Sequence, residues 1–278
     1  MKLPFTKMHG LGNDFVVFDF TEKVTPISQA QAAHIADRHF GIGCDQILIV
    51  ERSFRPEMDF KYRILNSDGG EVEQCGNGAR CFAVYVRERG LSDKSKIKVE
   101  TLGGDIILEV DDTTGNVIVD MGVPEFSPGK IPIMAKTQSP IYSVLIDNQP
   151  VVFSAVSIGN PHAVIRVADV DVAQVRHLGA ALESHEFFPQ RANIGFMQIL
   201  DRRNICLRVF ERGVGETIAC GTGACAAVAT GIALGDLDQT VSVQLPGGDL
   251  SISWRGGVHS LIMKGPTQTV FSGEFELQ

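Results

Sequence analysis

The feature that most constrains this chain is an internal repeat built around two cysteines. Gln74-Cys75-Gly76-Asn77-Gly78-Ala79-Arg80 is echoed by Ala219-Cys220-Gly221-Thr222-Gly223-Ala224-Cys225, with the cysteines 145 positions apart (220 − 75). At the same offset Arg63-Ile64-Leu65-Asn66 lies over Arg208-Val209-Phe210-Glu211, and Gly70-Glu71 over Gly215-Glu216. A weaker echo sets Gly12-Asn13 over Gly159-Asn160, 147 apart (159 − 12). A period this long is a duplicated domain rather than a solenoid unit, and 278 residues suffice for two cores. The expected domains are 1–120, carrying Cys75, and 121–265, carrying Cys220, with a strand at about 266–278 returning to the first. The Pro- and Gly-containing stretch from Gly122 to Pro132 marks the junction.

Periodicity sets the elements. Ser28 to Arg38 has a serine cap followed by apolar residues at helical spacing, and Ala79, Phe82, Ala83 and Val86 continue that spacing to an Arg89-Gly90 stop. Val172–Glu183 reads as a third helix. Gly223 to Leu234 is almost wholly Ala, Val, Ile and Leu, a helix buried on all sides. Between them, Gln46–Val50, Asp59–Leu65, Tyr142–Ile146, Val151–Ser157, Ala163–Val167, Ile194–Leu200, Leu207–Phe210, Val241–Leu245 and Leu250–Trp254 read as strands, and Lys96–Val119 as a meander. Polar loops, Ser67–Gln74 and Arg212–Ala219, deliver the two cysteines. Many strands, few helices and no regular βαβ alternation predict an α+β fold. Each of two pseudo-symmetric domains would be a curved, mostly antiparallel, barrel-like sheet around a central buried helix.

Composition narrows the function. An apolar share of 44% with 21% charged residues is that of a soluble globular protein, and a net charge of −8 without a basic run argues against nucleic acid. No apolar stretch approaches the ~20 residues of a membrane span, and the N-terminus lacks a signal-peptide pattern. A cytoplasmic location is expected, with all six cysteines reduced.

A thiol immediately before a helix meets the unpaired amides of the first turn and the positive end of the helix dipole. Both should lower its pKa. The glycines let a ligand approach the backbone, and the free amides form an anion site. A carboxylate held between two such helix ends, facing across a cleft, would leave its α-carbon between two sulfurs. One thiolate could take the α-proton while the opposite thiol returns one to the other face, with no cofactor. The amides would stabilise the charge that grows on the carboxylate. Cys44, Cys81, Cys206 and Cys225 have no echo and are expected to be packing residues. Zinc ligation does not fit the Cys75-x5-Cys81 and Cys220-x4-Cys225 spacings, and neither loop is a dinucleotide fingerprint. Asn66 and Glu211 hold equivalent places nine residues before their cysteines, as do Asn13 and Asn160 near each domain's start. His162 and Arg212 complete the polar candidates, Arg212 as a carboxylate clamp.

Seven ordered segments carry a resemblance: His9-Gly10-Leu11-Gly12-Asn13-Asp14-Phe15, Gly43-Cys44-Asp45-Gln46, Asn66-Ser67-Asp68-Gly69, Cys75 to Arg80, Gly159-Asn160-Pro161-His162, Glu211 to Thr217, and Ala219 to Gly223. Together they resemble the diaminopimelate epimerase family. The resemblance implies two like domains closing over substrate, no PLP or metal, and interconversion of LL- and meso-2,6-diaminopimelate for lysine and peptidoglycan synthesis. It implies Cys75 and Cys220 as the acid/base pair, His162 and Glu211 as catalytic helpers, and the amides of Gly76-Asn77 and Gly221-Thr222 on the reacting carboxylate. Asn13, Gln46, Asn66, Asn160, Asn193, Glu211 and Arg212 would line the pocket. A homodimer is implied as well, often with a C-terminal Tyr, where this chain has Phe271. Two alternatives stay open from the residues alone. A proline-racemase-like enzyme shares the two-cysteine logic but does not need Arg212 and several Asn, and a redox or metal-binding protein would use the thiols directly.

Overall fold

Strand β1 (Lys2–Gly10) shows how pattern becomes sheet. Leu3 and Phe5 are buried and alternate with exposed Lys2 and Pro4, whereas Thr6, Lys7 and Met8 are all buried. Alternation marks a strand with one covered face; continuous burial marks one covered on both. The computed structural model describes residues 2–72 and 75–277, and the chain divides into two compact units, Met1–Val119 with Gly265–Gln278, and Asp120–Lys264.

In the first unit β1 pairs antiparallel with β2 (Asn13–Asp19) and, on its other side, with β18 (Gln268–Glu276). β2 runs parallel to β3 (Gln46–Glu51), with α1 (Gln29–Ala36) in the connection. β3 is antiparallel to β4 (Phe60–Asn66), which takes β5 (Glu71–Val72) antiparallel and β6 (Lys96–Thr101) parallel, with α2 (Gly76–Glu88) in that connection. β7 (Gly104–Val110) and β8 (Val117–Asp120) follow antiparallel. α1 starts with a capping box in which Ser28 and Gln31 satisfy each other's backbone amides.

The second unit repeats this plan pairing for pairing. β9 (Tyr142–Ile146) is antiparallel to β10 (Gln149–Ser157), β10 to β11 (Pro161–Arg166), and β11 runs parallel to β12 (Asn193–Asp201) beyond α3 (Val175–Glu183). β13 (Asn204–Glu211) then takes β14 (Gly215–Thr217) antiparallel and β15 (Thr240–Leu245) parallel, with α4 (Gly221–Ala233) in the connection. β16 (Gly248–Ser253) and β17 (Ile262–Gly265) complete it. β18 stands to β1 as β9 stands to β10, so the chain's last strand supplies the position that opens the second repeat.

Each sheet carries a helix on either face. In the first unit Val16, Phe18, Ile47 and Ile49 meet Ile35 and Ala36 of α1. On the opposite face Phe15, Leu48 and Tyr62 crowd against Gly78 of α2. In the second unit α3 adds Val175 and Leu182 to a core with Phe153, Ile165, Ile194 and Phe196, while α4 is buried from Gly223 to Gly231 and packs on β10 through β13 and β16. A sheet that touches a helix with that many strands must curve around it. A fully buried Phe or Ile in such a core is worth about 1.5–3 kcal/mol.

The sequence reading holds for the α+β class, the curved sheets and the buried central helices. It missed that each helix is a crossover between parallel strands, giving four parallel ladders among the described residues. It also read both cysteine loops as strand-free, whereas each contains a short strand, β5 or β14. Glu73 and Gln74, at the end of the first loop, lie outside the described residues. α3 begins at Val175 rather than Val172.

Candidate active site

The echoes in the sequence are two copies of one loop. In each unit a strand ends, a short strand folds back on it, and a cysteine begins the inner helix. Arg63 clamps Glu71 through Nε and Nη2, both at 2.9 Å, and Arg208 bonds Glu216 at 2.7 Å through Nε. These equivalent pairs pin β5 and β14 to the strands before them, which is why Arg and Glu recur at the same offset. Gly12 and Gly159 share φ of +83°, a left-handed conformation that glycine adopts freely, and each turns the chain just before its Asn.

Cys75 and Cys220 are the N-cap residues of α2 and α4, with φ of −144° and −132° and ψ of 110° and 106°. Each sulfur accepts the amide of the third helical residue, Gly78 or Gly223, at 3.4 Å. These glycines are required by space. A Cβ on Gly78 would lie 2.3 Å from the Tyr62 hydroxyl, and one on Gly223 would lie 3.0 Å from Val209.

What each sulfur meets next differs. Cys75 Sγ donates to Asn13 Oδ1 at 3.8 Å, and the same oxygen accepts from Asn77 Nδ2 at 3.1 Å. Cys220 Sγ donates to Glu211 Oε2 at 3.1 Å and lies 3.7 Å from Thr222 Oγ1. Thr217 Oγ1 donates to the other Glu211 oxygen at 2.5 Å. The expectation that both thiols are acidified by their helix ends is corrected at Cys220. Burial, and then the adjacent Glu211 carboxylate, push this thiol well above its ordinary value, outweighing the Gly223 amide and Thr222.

Gln46 and Asn66 are ladder partners on β3 and β4, and Gln46 Nε2 donates to Asn66 Oδ1 at 2.8 Å. The second oxygen-bearing atom of the pair, Gln46 Oε1, is buried with no partner among the described residues. In the second unit the corresponding places hold Asn193 and Glu211. Asn193 is buried, its Oδ1 accepts the Arg212 amide at 3.0 Å, and its Nδ2 donates to the Pro161 carbonyl at 3.2 Å. Arg212 is exposed and its guanidinium donates to the Gln190 carbonyl at 3.2 Å.

His162 occupies the place of Phe15: each pairs with the first residue of the next strand, Asn193 or Gln46. It is buried, and Nε2 lies 2.8 Å from Asn160 Oδ1. Burial and the Arg212 charge push its pKa down to about 3, so the imidazole is neutral. Asn160 and His162 thus form their own pair, and Asn13, the counterpart of Asn160, meets its cysteine directly. Cys44 and Cys81 are buried thiols with raised pKa, Cys44 to about 12, and Cys225 is buried in α4; these three are packing residues as expected. Cys206 is only partly buried and donates to Gln244 Oε1 at 3.3 Å.

Sequence reasoning missed Thr217 and Asp45. Thr217 caps Glu211, and Asp45 accepts from Asn13 Nδ2 at 2.8 Å. Asp45 stood within a quoted motif, beside Gln46, and that adjacency was the available signal.

The diaminopimelate epimerase family profile matches residues 5–127 and 154–270. The diaminopimelate epimerase of Teredinibacter turnerae is 54% identical over 277 residues, covering 100% of both chains. Among solved structures, a probable proline racemase from Agrobacterium radiobacter superposes with a TM-score of 0.73 at 14% identity, covering 99% of this chain and 93% of that one. A PhzF-family phenazine biosynthesis protein from Bacillus anthracis gives 0.71 at 17%, covering 99% of each. These two share the fold alone. With the family profile matching both halves and a relative 54% identical from end to end, this chain belongs to the diaminopimelate epimerase family.

Proposed function

We propose that the protein interconverts LL- and meso-2,6-diaminopimelate by a two-base reaction at one carbon, with Cys75 and Cys220 as the acid/base pair. The single observation that carries this reading is the duplicated N-cap: the same thiol, in the same backbone conformation, at the start of the same buried helix in both units. The proposed domains are 1–120 with 266–278 and 121–265, each supplying one of the two sulfurs.

In the direction that begins with thiolate on Cys75, that sulfur takes the α-proton, and the Cys220 S–H bond breaks to protonate the opposite face. Cys75 ends as thiol and Cys220 as thiolate, so the reverse direction uses the same pair with roles exchanged. The raised pKa of Cys220 suits it to start as the donor. Glu211, held by Thr217, aligns the Cys220 thiol, and His162 stays neutral against Asn160. The carboxylate of the reacting centre sits on the amides of Gly76-Asn77 and Gly221-Thr222, which stabilise the carbanion as charge moves onto the carboxylate; one such donor is worth about 2.7–4 kcal/mol. The distal amino-acid group falls to Gln46, whose buried Oε1 asks for a donor such as an ammonium, and to Asn66, Asn160, Asn193 and Arg212. A small cyclic imino acid has no group to satisfy these residues, which disfavours the proline-racemase reading. The reaction needs no PLP and no metal. A cytoplasmic location fits this biosynthetic role, and among the described residues no helix is long and apolar enough to cross a membrane. A homodimer is the proposed assembly, with exposed Val270 and Phe271 on β18 as its apolar contact.

The test is solvent exchange. Reduced protein in deuterium oxide is expected to place deuterium at the α-carbon of LL-diaminopimelate and to leave proline and hydroxyproline unlabelled. Folded protein that labels none of them contradicts the epimerase reading.

A further inference from the structure

Behind Cys75 lies a directed chain of hydrogen bonds. Arg80 Nη2 donates to Asn77 Oδ1 at 3.0 Å, Asn77 Nδ2 donates to Asn13 Oδ1 at 3.1 Å, and Asn13 Nδ2 donates to Asp45 Oδ2 at 2.8 Å. Every bond runs in the same sense, from a buried guanidinium at one end to a carboxylate at the other. The carboxylate end is itself anchored. Arg38 bridges Asp45 Oδ1 and both oxygens of Asp14, and buried Lys7 pairs with Asp14 at 2.6 Å. Asp14 and Asp45 also exchange backbone amides with each other's carboxylates. Burial works against ionising Asp14, but the Arg38 and Lys7 bonds outweigh it and hold the carboxyl below its usual range.

The Arg38–Asp45 pair is half-exposed, at 55% and 44%, so its worth to stability is small. Its effect is directional. A side-chain amide is nearly symmetric in shape, and only its partners decide which end is oxygen. With Asp45 taking the NH2 of Asn13, the oxygen must face the Cys75 sulfur, where it accepts from a thiol and opposes a thiolate. We propose that Asp45 is a positioning residue for Cys75, fixing the Asn13 amide so that its oxygen faces the sulfur; this rests on the reading of Cys75 as an acid/base. Removing Asp45 leaves the Asn13 oxygen to Asn77 Nδ2 and weakens the hold that keeps the Asn13 NH2 from the sulfur; an amide turned that way stabilises thiolate, lowers the Cys75 pKa and makes the sulfur a weaker base.

Among the described residues the other ionisable groups near Cys75 do not cloud this. Tyr62 on β4 and Cys81 on α2 both feel its charge, but burial pushes each up and away from neutrality. Arg80 is engaged with Asn77, Lys7 on β1 is committed to Asp14 and Gly43, and His9 Nδ1 accepts the Gly12 amide.

The experiment uses the full chain, wild type with Asp45→Ala and Asp45→Asn. The iodoacetamide alkylation rate of the Cys75 peptide is followed by mass spectrometry across pH, beside epimerisation kinetics. In Asp45→Ala the alkylation midpoint is expected to fall by about one pH unit, with kcat/KM down about tenfold. Asp45→Asn keeps one acceptor oxygen and is expected to move the midpoint in the same direction, about half as far. An unchanged or raised midpoint in Asp45→Ala, or an equal fall in both variants, overturns the proposal. If Asp45→Ala fails to fold by circular dichroism, an unshifted Asp45→Asn overturns it instead. Wild type that exchanges no α-hydrogen defeats the epimerase reading, while the Cys75 titration still decides this one.

Discussion

Cys75 and Cys220 share a backbone position and differ in the group that receives the thiol: a neutral amide at one, a carboxylate at the other. This asymmetry is where charge enters an otherwise duplicated site. Glu211→Gln keeps the shape but removes the carboxylate that raises the Cys220 pKa. Cys220 is then expected to titrate at lower pH in an alkylation profile, and kcat/KM to fall about 10–100-fold. His162 offers a second check. Its pKa is about 3 folded against 6.5 ordinarily, so between those values the unfolded chain binds a proton that the folded chain refuses. Its contribution is therefore intact above pH 6.5 and is lost as pH falls toward 3, at up to about 1.4 kcal/mol per pH unit. His162→Phe, the residue at the equivalent Phe15 place, is expected to flatten this acid loss in urea melts at pH 7, 5 and 4; an unchanged slope contradicts it. Cys75, Cys220, Asn13, Asn160, Asn66 and Glu211 were legible because chemistry repeats with spacing, whereas Gln46 and Asn193 came only with the family resemblance. The Cys220 pKa was not, because a helix-start thiol looks acidic until its burial and its neighbour Glu211 are known.

At the scale of elements, the tightest constraint is α2 against β4. Alanine inside a helix gains about 1 kcal/mol over glycine, but at Gly78 its Cβ would stand 2.3 Å from a buried hydroxyl. The clash wins: Gly78→Ala is expected to destabilise by about 1–3 kcal/mol. Tyr62 Oη has no partner among the described residues, so Tyr62→Phe alone is expected to be neutral or stabilising by up to about 1 kcal/mol. Combined with Gly78→Ala it should recover most of the loss, and additive changes in denaturant midpoints would refute the coupling. The helices and most strands were readable from periodicity and caps. Strand partners were not, since alternation reports which face is covered and not which strand lies alongside. β5 and β14 are two and three residues long, too short for any period, and only the Arg63/Glu71 and Arg208/Glu216 echoes hinted at them.

For the whole molecule, duplication organises everything, and β18 closes the first copy from the far end of the chain. Deleting residues 266–278 strips β1 of one neighbour and uncovers Phe5, which Phe271 meets edge-on at 5.9 Å. Hydrogen exchange is expected to show lost protection in β1 and β2 with α4 still protected; equal protection throughout would count against the paired plan. The central claim is that two sulfurs divide one proton transfer between them. The most direct measurement follows conversion of LL- to meso-diaminopimelate in deuterium oxide, with α-deuterium as its mark, by wild type, Cys75→Ala and Cys220→Ala, all checked for folding. Wild type should label the substrate while each single variant loses epimerisation by about a thousandfold or more; full epimerisation by either variant would contradict the two-thiol mechanism.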